Sequence, residues 1–135
     1  MPLSILDSDG LSIFEGRRFW LNHFFSFDSG HDDCHIFIAT RKCKVTAVRF
    51  IRSADEYGDL AVVVTRTQGT EAPASGDTIV ASTDLDDLVK DTVTSGTVIT
   101  ASAVNELAIG NRVSLNFTGT PYAGIWLITI EMELM

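Results

Sequence analysis

The residues able to do chemistry are few, and they lie early in the chain. His31, Cys34, His35 and Cys43 supply two imidazoles and two thiols, the donor set of a tetrahedral zinc site. Their spacing opposes that use. Zinc ligands come in pairs about two to four residues apart, whereas Cys34 and His35 are adjacent and on a strand would point to opposite faces. The stretch HDDCH (31–35) therefore reads as a polar turn entering a strand. Residues 7–10 (DSDG) and 84–87 (DLDD) resemble fragments of calcium loops, without the further acid ligand, the central glycine and the distal glutamate of a full loop. Turn and cap roles are expected of them. The three histidines, His23, His31 and His35, come with no GxSxG elbow, and no GxxxxGK or GxGxxG segment exists to cradle phosphate. No catalytic residue, cofactor or metal is expected, and the reading is non-enzymatic.

Cys34 and Cys43 could close a hairpin through a disulfide on geometric grounds. The start of the chain, MPLSILDSDG, has no basic residue before its short apolar stretch and does not read as a secretory signal. The expectation is a chain that begins where the sequence begins, in a cytosol-like compartment, with both thiols reduced.

Charge narrows the partners. Residues 1–52 carry seven Lys/Arg against six Asp/Glu, and residues 53–135 carry three against twelve, so the second part carries −9 and the first +1 of the net charge of −8. An acidic body repels nucleic acid and anionic membrane, and neither is expected as a partner. The near-neutral N-terminal third is the better candidate for meeting an acidic protein surface. With 135 residues the chain predicts one domain with a core of its own, and no apolar run approaches the roughly 18 residues that cross a bilayer.

From residue 35 onward the apolar pattern has a period of two. HIFIAT (35–40), CKVTAVRFIR (43–52), LAVVVTRT (60–67), DTIVAS (77–82), GTVITAS (96–102) and NRVSLNF (111–117) read as strands, separated by Gly, Pro, Asn and Ser clusters. In 43–52 strict alternation puts Lys44, Thr46, Val48 and Phe50 on one face and Val45, Ala47, Arg49 and Ile51 on the other. The closing strand is the cleanest: Trp126, Ile128, Ile130, Met132 and Leu134 alternate with Leu127, Thr129, Glu131 and Glu133. The segment STDLDDLVKDTV (82–93) reads as a short helical turn with Leu85, Leu88 and Val89 on one side, or as a plain loop. The fold class that follows is all-β, an antiparallel sandwich or barrel built by residues 35–135.

Residues 1–34 differ. Phe19, Trp20, Phe24, Phe25 and Phe27 place five of the chain's twelve aromatics within nine residues, with neither helical nor alternating period. Two readings stand: a first strand that gives its aromatics to the core, or an extended N-terminal arm whose Phe14, Arg17, Arg18, Phe19 and Trp20 dock on another chain. Trp, Phe and Arg are the residue types that interfaces favour.

From about residue 43 to the end, the order of segments resembles the capsid decoration, or cement, proteins of tailed bacteriophages. A strand VTAVRF is followed by a Val-rich strand LAVVVTRTQG, a turn TEAPASGDTIV and a DL-containing segment, then by NELAIGNRVSLNFTGT and a closing strand GIWLITIEMEL. ELAIGNRVSLNFTG is the most specific part. The resemblance implies a jelly-roll-like β-sandwich and a virion structural protein, made in the host cytoplasm, that binds the outer face of the capsid. It implies the major capsid protein as partner and a homotrimer as assembly. The alternative is a receptor- or carbohydrate-binding head of a phage fibre, which needs exposed loop aromatics, and only Tyr57 and Tyr122 qualify. A lyase or isomerase on a cupin-like barrel would need spaced His and Glu ligands that this sequence does not offer.

Overall fold

A computed structural model describes residues 17–26, 33–120 and 123–135. The described residues form nine strands: β1 (Arg18–Ser26), β2 (Cys34–Ile38), β3 (Cys43–Tyr57), β4 (Ala61–Thr67), β5 (Asp77–Asp84), β6 (Thr94–Ser95), β7 (Glu106–Leu107), β8 (Arg112–Thr118) and β9 (Ala123–Leu134). They pair antiparallel into two sheets, one in the order β1-β9-β3-β6 with β7 also on β3, the other in the order β2-β8-β4-β5. The first strand lies beside the last and the chain crosses repeatedly from one sheet to the other, which gives a jelly-roll-like β-sandwich.

The core lies between the sheets. Val45, Val48, Phe50, Trp126, Ile128, Ile130 and Met132 face Val62, Val64, Val113, Leu115 and Phe117, all of them buried. Each such side chain contributes about 1.5–3 kcal/mol when taken fully out of water. The alternation read in the closing strand is the alternation observed. Gly124 enters that strand with φ 146°, and a Cβ there would collide with the Trp126 indole. Trp126 donates its indole N–H to the Leu85 carbonyl at 3.3 Å, which ties β9 to the turn after β5.

Three segments depart from the expectations. In β3 a bulge between Val45 and Ala47 breaks strict alternation, so Val45 joins Val48 and Phe50 in the core while Lys44, Thr46, Ala47 and Arg49 lie outside it. The segment 82–93 is strand through Asp84 and then a single 3-10 turn, Leu85–Asp87. Leu85 and Leu88 are buried, but Val89 is exposed, because the chain extends again at Leu88 and does not complete a helical face. The run 96–102 is not a strand. Pairing is confined to Thr94–Ser95 and a bridge from Val98 to Val80, and the chain turns at Ala101–Ala103 with Ser102 and Ala103 in the left-handed region.

β1 belongs to the sandwich, which places residues 18–26 of the N-terminal region inside it. Its pairing with β9 runs without interruption from Arg18 opposite Glu133 to Ser26 opposite Ile125.

Candidate interaction surface

The aromatic run escapes a simple period because both faces of β1 carry large apolar side chains. Phe19, Leu21 and Phe25 face inward, in register with Met132, Ile130 and Trp126 of β9. Phe25 is buried between the Trp126 and Phe117 rings, at centroid distances of 5.8 and 5.4 Å. Phe19 is partly buried, with its ring 6.0 Å from Phe37 of β2. Trp20 and Phe24 alternate with these and face out, 60% and 63% exposed. Phe19 and Trp20 thus lie on opposite faces of one strand. Arg17 stands exposed just before β1 with φ 62°, and Arg18 is exposed on the outer face opposite Glu133. Phe14, Phe27, His31, Tyr122 and residues 7–10 lie outside the described residues.

The outer face of the β1-β9-β3-β6 sheet is therefore built in rows set by strand register. At one end lie Arg18, Glu133 and Lys44, with Lys44 Nζ 3.7 Å from the Glu133 carboxylate. In the next row Glu131 accepts from the Trp20 indole N–H at 3.2 Å and from the Thr46 hydroxyl at 3.1 Å, which fixes the indole against the sheet. The third row holds Asn22, Thr129 and Arg49, with the Thr129 hydroxyl donating to Asn22 Oδ1 at 2.8 Å. The last rows are apolar. Phe24, Leu127 and Ile51 lie side by side, and Val93, 61% exposed, closes a shallow groove of about 250 Å³ over Ile51, Leu127 and Thr129. The outer face of this sheet thus has an ion-paired end and an apolar end.

The titratable groups near this sheet follow their burial. His23 faces inward opposite Ile128 with its ring stacked on Phe25, and desolvation pulls its pKa below the ordinary value near 6.5. Cys43 is buried at the start of β3, and burial pushes its thiol up. No disulfide joins Cys34 and Cys43.

The second sheet holds a polar cluster that sequence reading missed. His35 Nδ1 lies 2.6 Å from Ser114 Oγ, Ser114 Oγ lies 3.0 Å from Thr67 Oγ1, and Arg112 donates Nε–H to Thr67 at 3.2 Å. Arg112 also donates to the Glu71 carbonyl, and Thr65 to the Pro73 carbonyl, so the cluster fastens loop 68–76 over the sheet. Ser114 and Thr67 are fully buried, which makes this a fastening and not an open nucleophile. Its bonded pairs among His35, Thr67, Arg112 and Ser114 are 32 to 79 residues apart in sequence, so no local motif announces them. Of the acids in HDDCH, Asp33 accepts the Phe117 backbone N–H at 2.8 Å, and in DLDD Asp86 accepts that of Leu60 at 3.2 Å. Both hold segments distant in sequence together, whereas the 3-10 turn Leu85–Asp87 has no side-chain cap hydrogen bond, so the cap role expected of DLDD is not observed. Among the described residues no cluster of three or more His, Cys, Asp and Glu is placed to hold a metal.

Comparison with protein-family models, with curated proteins and with solved structures found no match.

Proposed function

We propose that the chain is a non-enzymatic virion structural protein, a decoration protein that binds and stabilises the outer face of a phage capsid. Its partner in this reading is the major capsid protein, and its assembly is a homotrimer. The order of sequence segments after residue 43 motivates the reading, and the jelly-roll sandwich is the fold that resemblance implies. The observation that carries it at the site is the outer sheet face, where Arg17, Arg18 and Trp20 stand exposed towards one end and an apolar groove opens at the other.

The physical logic is linkage. A protein that binds the assembled lattice and not the free subunit stabilises the lattice by mass action. A trimer repeats one modest contact three times, so weak contacts sum through effective concentration. Arg17 and Arg18 would meet carboxylates of the lattice, each guanidinium able to take one bidentately, and the acidic body would keep crowded particles apart.

The test is the double change Arg17→Glu plus Arg18→Glu, with sedimentation of the purified protein alongside undecorated capsids. Both residues are exposed, so the free protein should stay folded, with only a small fall in melting temperature from the new carboxylate opposite Glu133, while attachment falls and becomes more salt-sensitive. Wild-type occupancy by the variant would sink the role given to this pair. Failure of the wild-type chain to sediment with capsids would sink the decoration reading itself.

A further inference from the structure

We propose that the free edge of β1 pairs with β1 of a second copy, antiparallel, about a two-fold axis at Asn22. The inference goes beyond the decoration reading and does not depend on it. β1 ends its sheet: β9 is its neighbour on one side, and no described strand pairs with the other. Folded proteins protect such edges by making them short, by placing proline or lysine on them, or by bulging them. β1 has none of these. It is nine residues long, RFWLNHFFS, without proline or lysine, and its register with β9 is unbroken where β2, β3 and β4 each carry a shift in theirs.

The strand is also self-complementary. Read outward from Asn22, its residues balance: Leu21 against His23, Trp20 against Phe24, Arg18 against Ser26. In an antiparallel pair centred there, Trp20 of each copy lies directly opposite Phe24 of the other, on the outer face. These are the two aromatics that the single chain leaves 60% and 63% exposed, and each would cover the other. Directly opposed aromatic side chains stabilise antiparallel pairs. Arg18 is the one formal charge on the strand and falls opposite a serine, so two chains of net charge −8 meet here without opposing like charges. A foreign extended peptide could take up the backbone groups of this edge. Only a second copy supplies the paired register, which is why the second copy is the occupant named. The contact is isologous and closes at two, so together with the proposed homotrimer it makes a dimer of trimers, and any assembly that uses it holds an even number of chains.

Cysteine cross-linking of the full chain reads the register. Asn22 is exposed, so Asn22→Cys should keep the wild-type circular dichroism spectrum and give a covalent dimer under mild oxidation. Trp20→Cys and Phe24→Cys, each alone, should give none, and a mixture of the two should give the mixed dimer. The wild-type chain is the control for Cys34 and Cys43. Light scattering should report an even number of wild-type chains, and Asn22→Lys, which puts two ammonium groups on the axis, should halve it. The proposal is overturned by Asn22→Cys cross-linking no better than wild type, by equal cross-linking at positions 22 and 24, or by a wild-type mass that Asn22→Lys leaves unchanged.

Discussion

His35 Nδ1 lies 2.6 Å from the hydroxyl oxygen of Ser114, at the end of a hydrogen-bonded chain that starts at Arg112. Arg112 can only donate, so its Nε–H occupies one lone pair of Thr67 Oγ1. The distances allow either sense beyond Thr67, and we predict that Thr67 donates to Ser114 and Ser114 to His35 Nδ1. The neutral imidazole is expected to carry its proton on Nε2. Nitrogen chemical shifts of His35 at neutral pH check this, and a protonated Nδ1 in the neutral ring would refute the direction. Ser114→Ala should leave the buried Thr67 hydroxyl without its acceptor and cost about 1–3 kcal/mol in chemical denaturation.

The closing strand gives the sharpest contrast between faces. Ile128 is fully buried, and its neighbour Thr129 lies on the outer face, bonded to Asn22. Ile128→Asp places an unpaired carboxylate in the core and should remove several kcal/mol, a large part of a typical stability of about 5–15 kcal/mol. Thr129→Asp forfeits one partly exposed hydrogen bond and should cost about 1 kcal/mol. Equal losses in a denaturant titration would contradict the assigned register.

The closing strand was legible in the sequence because one of its faces is apolar and the other is not. β3 was legible as a strand but not in its facing, since a bulge adds a residue without leaving a compositional mark, and Val45 and Val48 ended on the same side. β1 was ambiguous for a physical reason: Phe19 and Phe25 serve the core, while the outer face mixes Trp20 and Phe24 with Arg18, Asn22 and Ser26, so the alternation of polar with apolar residues is broken by two outward aromatics. The outer face was half legible. Arg18 and Trp20 could be singled out by type, but their neighbours Glu131, Leu127 and Ile51 come from strands distant in sequence, and only register assembles them. The His35–Ser114–Thr67 cluster was not legible at all, for the same reason.

Acid should weaken the fold through His23. Burial lowers the pKa of this group in the folded chain, so below about 6.5 the unfolded chain takes up a proton that the folded chain does not. The stability His23 allows is present above that value and is lost as pH falls through the folded pKa. His23→Phe, which keeps the stacking on Phe25, should flatten the dependence of melting temperature on pH below 6.5 and leave it unaltered above. Identical profiles for the variant and the wild type would remove His23 as the titrating group.

The turn at Ser102 and Ala103 is held against its own preference. Both residues have positive φ, 54° and 55°, a conformation that costs a non-glycine residue about 1–2 kcal/mol. Arg66 reaches from β4 to hold it, donating to the Ala103 carbonyl at 3.1 Å and to the Glu106 carbonyl at 2.9 Å while its other nitrogen pairs with Asp77 at 2.6 Å. Lysine cannot reproduce this fork, so Arg66→Lys should cost about 1.5–3 kcal/mol. Ala103→Gly should relieve the strain and, after the greater freedom it gives the unfolded chain, stabilise by about 0.5 kcal/mol. The two changes should also couple. Once Arg66→Lys has released the turn, the backbone can relax by itself, and the glycine should bring little further gain. A double-mutant cycle by denaturant unfolding measures the difference. Strict additivity would mean that the left-handed turn persists without Arg66 and that the arginine does not hold it.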